Sequence, residues 1–194
     1  LVSTDNSSVS PIITNDPAGS KRELAITFAQ GLHAVFIHDK AGLGDIHARM
    51  LGEDLEQFGD PVLGQQLRMP VLCTDPDASG SLGYDQQTPA ITTVGSRVAI
   101  VYASDQNYPN VSEIYFNAQN PSGCADEGPT KLTSAEADSM QAASAPDVAA
   151  GPSGMVLVTW QRHNTGGIFG RIVDPATQAP TGEAFPLGEG LTDA

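Results

Sequence analysis

Short apolar runs alternate along this chain with Gly- and Pro-containing turns, and the runs come in pairs. In each pair a short apolar strand, a Gly-containing turn and a more apolar strand follow one another, over residues 24–37, 89–102 and 146–160. This order is typical of a β-hairpin. No convincing stretch of helical periodicity interrupts the pattern, so the sequence predicts an all-β chain.

Each hairpin is followed by a polar connection, a third short strand, a turn-rich stretch and a fourth strand. The third strands are predicted at residues 45–50, 112–117 and 167–173, and the fourth strands near residues 58–63, 130–133 and 183–187. The first strands recur at offsets of 65 and 57 residues, measured between Ala25, Ala90 and Asp147. Antiparallel units of four strands that repeat at such a period are typical of β-propeller blades.

We therefore predict one all-β domain over residues 1–194, made of three four-stranded antiparallel, blade-like units at about 11–66, 67–134 and 135–190. A β-sandwich, which also contains many short strands, is the alternative. Alternation along the middle hairpin places Val98, Ile100 and Tyr102 on one face and Ala99 and Val101 on the other.

The ends of the second strands carry equivalent aromatic residues, Tyr102 and Trp160. Stacked sheets of this kind bury both faces, and large aromatic side chains suit that environment. We expect both residues to pack between neighbouring units.

The best-defined stretch of the repeat runs from Ile114-Tyr115 through Lys131-Leu132-Thr133 to Pro146-Asp147-Val148-Ala149-Ala150. This pattern resembles the repeats of bacterial exported β-propellers, including the sialidase-like propellers with BNR-related repeats, over about residues 22–190. The resemblance implies a fold rather than an activity, because the enzymatic motifs are missing. Sialidases carry a Ser-x-Asp-x-Gly-x-Thr-Trp turn, and the matching turns, residues 52–56, 120–124 and 174–178, lack it.

No catalytic constellation stands out elsewhere, so no catalytic residue is assigned. Our leading hypothesis is a non-enzymatic extracellular structural or binding module, part of a cell-surface assembly, a filament or a larger exported complex. The alternative is a carbohydrate-binding or glycoside-hydrolysing, sialidase-like propeller. A cytosolic interaction scaffold is disfavoured by the scarcity of lysine and the absence of an initiator Met.

Charge narrows the range of partners. The chain has 23 acidic and 9 basic residues and a net charge of −14. Such a surface repels nucleic-acid phosphates and anionic membranes, so neither is expected as a partner. High negative charge serves solubility, and it also suits calcium binding or life in high salt.

One loop matches part of a calcium-binding pattern. In residues 75–80, oxygen-bearing side chains stand at the first, third and fifth positions and a glycine at the sixth. The proposed ligands are Asp75, Asp77, Ser79 and Asp85. The usual Glu at position 12 is replaced by Gln86, so a simple polar turn is the other interpretation.

Three histidines, His33, His38 and His47, lie close together in sequence. Antiparallel pairing would bring His38 near His47 and, with Asp39 or Asp45, form a possible metal-binding corner. Exposed histidines at strand ends are the simpler interpretation.

Two cysteines, Cys73 and Cys124, are present without a CxxC or Cys-His cluster. In an exported protein they would form one disulfide. The composition and the start of the chain predict a secreted, cell-surface or periplasmic protein. Three units cannot close a propeller, so we expect the chain to associate with other protein chains, as a homo-oligomer or in a larger complex.

Overall fold

The structure is a computed structural model that describes residues 20–28, 32–40, 43–51, 69–70, 86–105, 111–119, 129–133, 142–163 and 166–188. These residues form three antiparallel sheets, here called sheets 1, 2 and 3 in chain order. The all-β prediction is confirmed. Within the described residues, no helix has the length and apolar character needed to cross a membrane.

Sheet 1 contains four strands in chain order, each hydrogen-bonded to the next. They are β1 Ser20–Phe28, β2 Leu32–Lys40, β3 Leu43–Leu51 and β4 Met69–Pro70. The short strand β4 pairs with β3, His47 opposite Pro70 and Ala48 opposite Met69. The fourth strand that the sequence indicated near residues 58–63 lies outside the described residues.

Sheet 2 has the same order, with β5 Gln86–Val94, β6 Arg97–Ser104, β7 Glu113–Gln119 and β8 Thr130–Lys131. A two-residue turn, Gly95-Ser96, joins β5 to β6. Gly95 has φ +58°, which glycine adopts without the steric penalty of a Cβ atom. The hairpin predicted here is confirmed.

Sheet 3 repeats this arrangement with one strand more. It consists of β9 Ala143–Ala150, β10 Val156–Arg162, β11 Ile168–Asp174, β12 Ala179–Pro180 and β13 Phe185–Gly188. The central strand β11 pairs with β12 at Val173 and Asp174 and with β13 at residues 168–170. The predicted fourth strand near residues 183–187 corresponds to β13.

The sheets are stacked face to face, with sheet 2 in the middle. Val98, Ile100 and Tyr102 pack against Ile37 and Ile46 of sheet 1 in one buried cluster. On the opposite face, Ala99, Val101 and Phe116 belong to a second cluster with Val156, Val158 and Trp160 of sheet 3.

The predicted division of β6 into two faces and the inter-sheet packing of Tyr102 and Trp160 are confirmed. A stack of three sheets is also unlike the two facing sheets of a β-sandwich.

Candidate functional site

The first strands of the three sheets lie next to one another, because β5 packs against both β1 and β9. Each of these strands contains a non-glycine residue with positive φ: Glu23 at 53°, Thr88 at 49° and Ala145 at 47°. The positions repeat the offsets of 65 and 57 residues that define the sequence repeat. We call these three residues the bulge row.

A shift in strand register accompanies each member of the bulge row. The β1–β2 pairing shifts between Arg22 and Ala25, and the β5–β6 pairing shifts between Gln87 and Ala90. In sheet 3 the pairing of β9 with β10 shifts between Thr159 and Gln161, opposite Ala145. These are β-bulges, which bend a strand and turn a side chain in a new direction.

The bulge row stores backbone strain. A non-glycine residue held in this region costs on the order of 1 kcal/mol or more, and such residues cluster at binding and catalytic sites. Three of them at equivalent positions make the edge of the stack where they lie the first place to look for a site. We call it the bulge edge; it is the edge where β5 and β9 begin and β6 and β10 end.

A carboxylate joins the first bulge to the second. Glu23 is exposed, and its Oε2 accepts a hydrogen bond of 2.5 Å from the backbone N–H of Thr88. This contact fixes the carboxylate at the junction of sheets 1 and 2. An exposed carboxylate in a fixed position can accept hydrogen bonds from the hydroxyl groups of a ligand.

A buried row of polar residues crosses sheet 2 at the same edge. Gln86, Ser104 and Glu113 pair with one another across β5, β6 and β7, and all three are buried. The Oε1 atom of Gln86 accepts a 2.7 Å hydrogen bond from the backbone N–H of Ile46 in sheet 1. This bond fastens the two sheets directly beside the bulge row.

Glu113 is the charged member of this row. Its Oε1 lies 3.3 Å from the Nζ atom of Lys131, and its Oε2 accepts a 3.1 Å hydrogen bond from the hydroxyl of Tyr115. The Tyr115 ring in turn stacks on Tyr102, with ring centroids 5.8 Å apart. Because this buried carboxylate forms an ion pair and a hydrogen bond within sheet 2, we assign Glu113 to the framework that supports the edge.

In sheet 3 the bulge edge carries an exposed polar pair. The Nε2 atom of His163 lies 2.7 Å from the hydroxyl oxygen of Ser144, which directly precedes Ala145. Arg162 lies over the ring of Phe169, with its guanidinium carbon 4.0 Å from the ring centroid. The bulge edge therefore presents a carboxylate, a hydroxyl and an imidazole.

The structure describes only part of the sites that the sequence predicts. Asp75, Asp77, Ser79 and Asp85 of the calcium loop and the cysteines Cys73 and Cys124 all lie outside the described residues, so the calcium site and the disulfide stay predictions. The backbone of His38 pairs with that of Asp45, while His47 pairs with Phe36 and His33 with Met50. In the part of the chain that the structure describes, no three His, Cys, Asp or Glu side chains are grouped to hold a metal ion.

The bulge row was missed by the sequence reasoning, although part of its signal was present. Proline follows Thr88 and Ala145 inside strands β5 and β9. Proline within a strand marks an edge or a bulge. These prolines therefore mark two members of the bulge row, whereas Glu23 precedes a leucine and carries no such signal.

Comparison of the fold with solved structures finds glycoside hydrolases. An α-L-arabinofuranosidase from Clostridium thermocellum matches with a TM-score of 0.53 and 15% identity over 93% of this chain and 60% of its own. A family 43 β-1,3-galactosidase matches with a TM-score of 0.52 and 8% identity over 87% of this chain and 62% of its own. A glycosyl hydrolase from Bacteroides ovatus also gives 0.52, with 12% identity over 87% and 49%.

At these identities the likeness concerns the fold alone. Family 43 glycoside hydrolases have a five-bladed β-propeller fold, and the likeness supports a β-propeller here. It does not support the sialidase-like kind that we expected from the repeats. The chain spans about half to three-fifths of the length of these structures. Neither a family model nor a curated protein matches the sequence.

Proposed function

We propose that this chain is a carbohydrate-directed protein that binds saccharide at the bulge edge, with Glu23 as a ligand-contacting carboxylate. The observation that carries the proposal is the alignment of three strained bulges at one edge of a fold similar to that of glycoside hydrolases. The proposal takes the place of the structural-module hypothesis as our main account.

The chemistry of the edge suits a saccharide. Sugar hydroxyls donate hydrogen bonds to carboxylates, and a bond to a charged acceptor contributes roughly 1.5–3 kcal/mol. Glu23 is exposed, and its hydrogen bond to the Thr88 N–H holds it in place before a ligand arrives. Preorganisation of this kind lowers the entropy lost on binding.

Hydrolysis requires more than binding. Glycoside hydrolases generally use two carboxyl groups, about 5–5.5 Å apart in retaining enzymes and roughly 6.5–9.5 Å apart in inverting ones. Glu23 is the carboxylate that a hydrogen bond to the Thr88 N–H holds in place at this edge, and saccharide binding is the activity we propose for it. Hydrolysis is measured alongside it.

Calorimetric titration with soluble arabinan, β-1,3-galactan and β-1,2-mannan tests the proposal, since structurally similar glycoside hydrolases are named for these linkages. We expect at least one of these glycans to bind and Glu23→Gln to weaken that binding about tenfold, because the charge is lost while an acceptor oxygen for the Thr88 N–H remains. Glu183→Gln, an exposed carboxylate between β12 and β13, is the matched control and should bind as the wild type.

Failure of all three glycans to bind, or full binding by Glu23→Gln, would overturn the proposal. Release of reducing sugar is followed in the same samples. Turnover that Glu23→Gln abolishes would change the assignment from binding to hydrolysis. Secretion or surface exposure stays part of the proposal and is tested by fractionation of the native host.

A further inference from the structure

The two faces of each sheet are different. Equivalent residues face the preceding sheet in every sheet that has one, and a different set of residues faces the following sheet. In sheet 2, Val98, Ile100 and Tyr102 face sheet 1. In sheet 3 the equivalent residues of β10, Val156, Val158 and Trp160, face sheet 2. The interface between sheets 2 and 3 therefore repeats the interface between sheets 1 and 2.

The face of sheet 3 that points away from sheet 2 is apolar and exposed. Ile114 and Ala118 of β7 are 0% and 2% exposed because sheet 3 covers them, whereas the equivalent residues of β11, Ile168 and Ile172, are 51% and 40% exposed. Leu187 lies on the same face and close to Gly170. A Cβ atom added to Gly170 would lie 2.9 Å from the Cδ1 atom of Leu187. These residues form an exposed apolar surface against which another sheet can pack.

At the other end of the stack, an apolar residue of sheet 1 is exposed although its equivalents in sheets 2 and 3 are packed against a neighbouring sheet. Val148 of β9 is 7% exposed and packs toward sheet 2, and Ile91 of β5 packs toward sheet 1. Ile26, the equivalent residue of β1, is 58% exposed. This is the face that, in sheets 2 and 3, meets the preceding sheet.

We infer that a second copy of this chain docks head to tail, with the face of its β1 that carries Ile26 against the face of sheet 3 that carries Ile168, Ile172 and Leu187. The two open faces are the two halves of an interface that the chain already makes twice internally. Apolar sheet faces of this kind normally mark an interaction site. Two reciprocal contacts about a twofold axis would close a ring of six sheets, within the range of known propellers.

Asp147 makes one part of this docking surface acidic. Ala25 of β1 and Ala90 of β5 pack toward the following sheet. The equivalent residue of β9 is Asp147, and it is exposed. Its Oδ1 accepts a 2.8 Å hydrogen bond from the backbone N–H of Val148. The docking surface is therefore apolar over β11 and β13 and acidic at β9.

Sedimentation velocity of the 194-residue chain at micromolar concentration tests the inference. We expect a species of about twice the 20.2 kDa of one chain. Ile168→Glu and Ile26→Glu should each give monomers, since each variant spoils one half of both contacts. Ser153→Glu, which adds the same charge in the exposed β9–β10 turn, should remain dimeric. Circular dichroism confirms that every variant keeps its β-structure.

Mixing the two variants makes the test specific for head-to-tail contact. Ile168→Glu has an intact β1 face and Ile26→Glu has an intact sheet 3 face, so an equimolar mixture should recover a heterodimer held by one contact. A wild-type chain that sediments as a monomer would overturn the inference. So would an Ile26→Glu variant that still dimerises, because the contact would then join two identical faces.

Discussion

At the scale of the residue, Thr88 combines two unfavourable features. Its backbone has φ +49°, and its buried hydroxyl has no hydrogen-bond partner within the described part of the chain. Glu23 and Ala145 hold the same backbone conformation at the equivalent positions of their sheets. Backbone strain that recurs at equivalent positions of three sheets is typical of functional sites, and in sheet 1 the strained residue is Glu23 itself.

Replacing Thr88 with glycine should therefore stabilise the protein or leave its stability unchanged. Glycine adopts positive φ freely, and the change also removes the unpartnered hydroxyl, for an expected gain of about 1 kcal/mol. Thr93→Gly, in the same strand but outside the bulge, should lose about 1 kcal/mol. Denaturant unfolding of both variants checks this, and equal losses would show that the bulge is unstrained.

At the scale of the element, side-chain amides fasten each sheet to the next. Gln86 accepts a hydrogen bond from the Ile46 N–H at the junction of sheets 1 and 2. At the junction of sheets 2 and 3, the Oε1 atom of buried Gln178 accepts a 3.0 Å bond from the Ala118 N–H. Arg171 adds a 2.7 Å bond from its Nη1 atom to the carbonyl oxygen of Leu132.

Replacement of either glutamine should destabilise only the contact between the two sheets that this glutamine joins. Gln86→Leu leaves the Ile46 N–H without an acceptor, at a cost of about 1–3 kcal/mol, and Gln178→Leu does the same to the Ala118 N–H. Hydrogen exchange should accelerate at Ile46 in the first variant and at Ala118 in the second, so that each serves as the control for the other. Faster exchange at both amides in both variants would mean that the sheets open as one unit.

The strands themselves are largely predictable from the sequence, because alternation and turn residues are local signals. The predicted third strands at residues 45–50, 112–117 and 167–173 correspond to β3, β7 and β11. Burial is less predictable. Along β7, Glu113, Asn117 and Gln119 alternate with apolar residues and would suit a solvent-facing side, yet all three are buried because sheet 1 is stacked on that face.

The candidate site could not be predicted from local sequence patterns either, because it also depends on how the sheets are stacked. Glu23, Thr88 and Ala145 share no side-chain chemistry, and what relates them is a backbone conformation and the packing of β1, β5 and β9. The residues that attracted attention in the sequence, such as Asp75 and Asp77, did so through local spacing. A site assembled from three repeats becomes visible only when the repeats are stacked.

At the scale of the whole molecule, we still predict a disulfide between Cys73 and Cys124. Closing a loop of about fifty residues would stabilise the protein by roughly 4 kcal/mol in the chain-entropy model. Thiol titration of the denatured, unreduced protein should find no free thiol. Two titratable thiols would refute the pairing, and reduction of the native protein should lower its melting temperature if the pairing is right.

We propose the bulge edge as the ligand-binding surface of the molecule, and amide chemical shifts test that proposal most directly. An isotope-labelled sample is titrated with an oligosaccharide of whichever glycan binds. We predict shifts at residues 22–25, 86–88, 144, 145 and 147, around the bulge row, and unchanged amides at the hairpin turns 95–96 and 153–154 on the opposite edge. Shifts confined to those turns, or to the exposed face of sheet 3, would contradict the account.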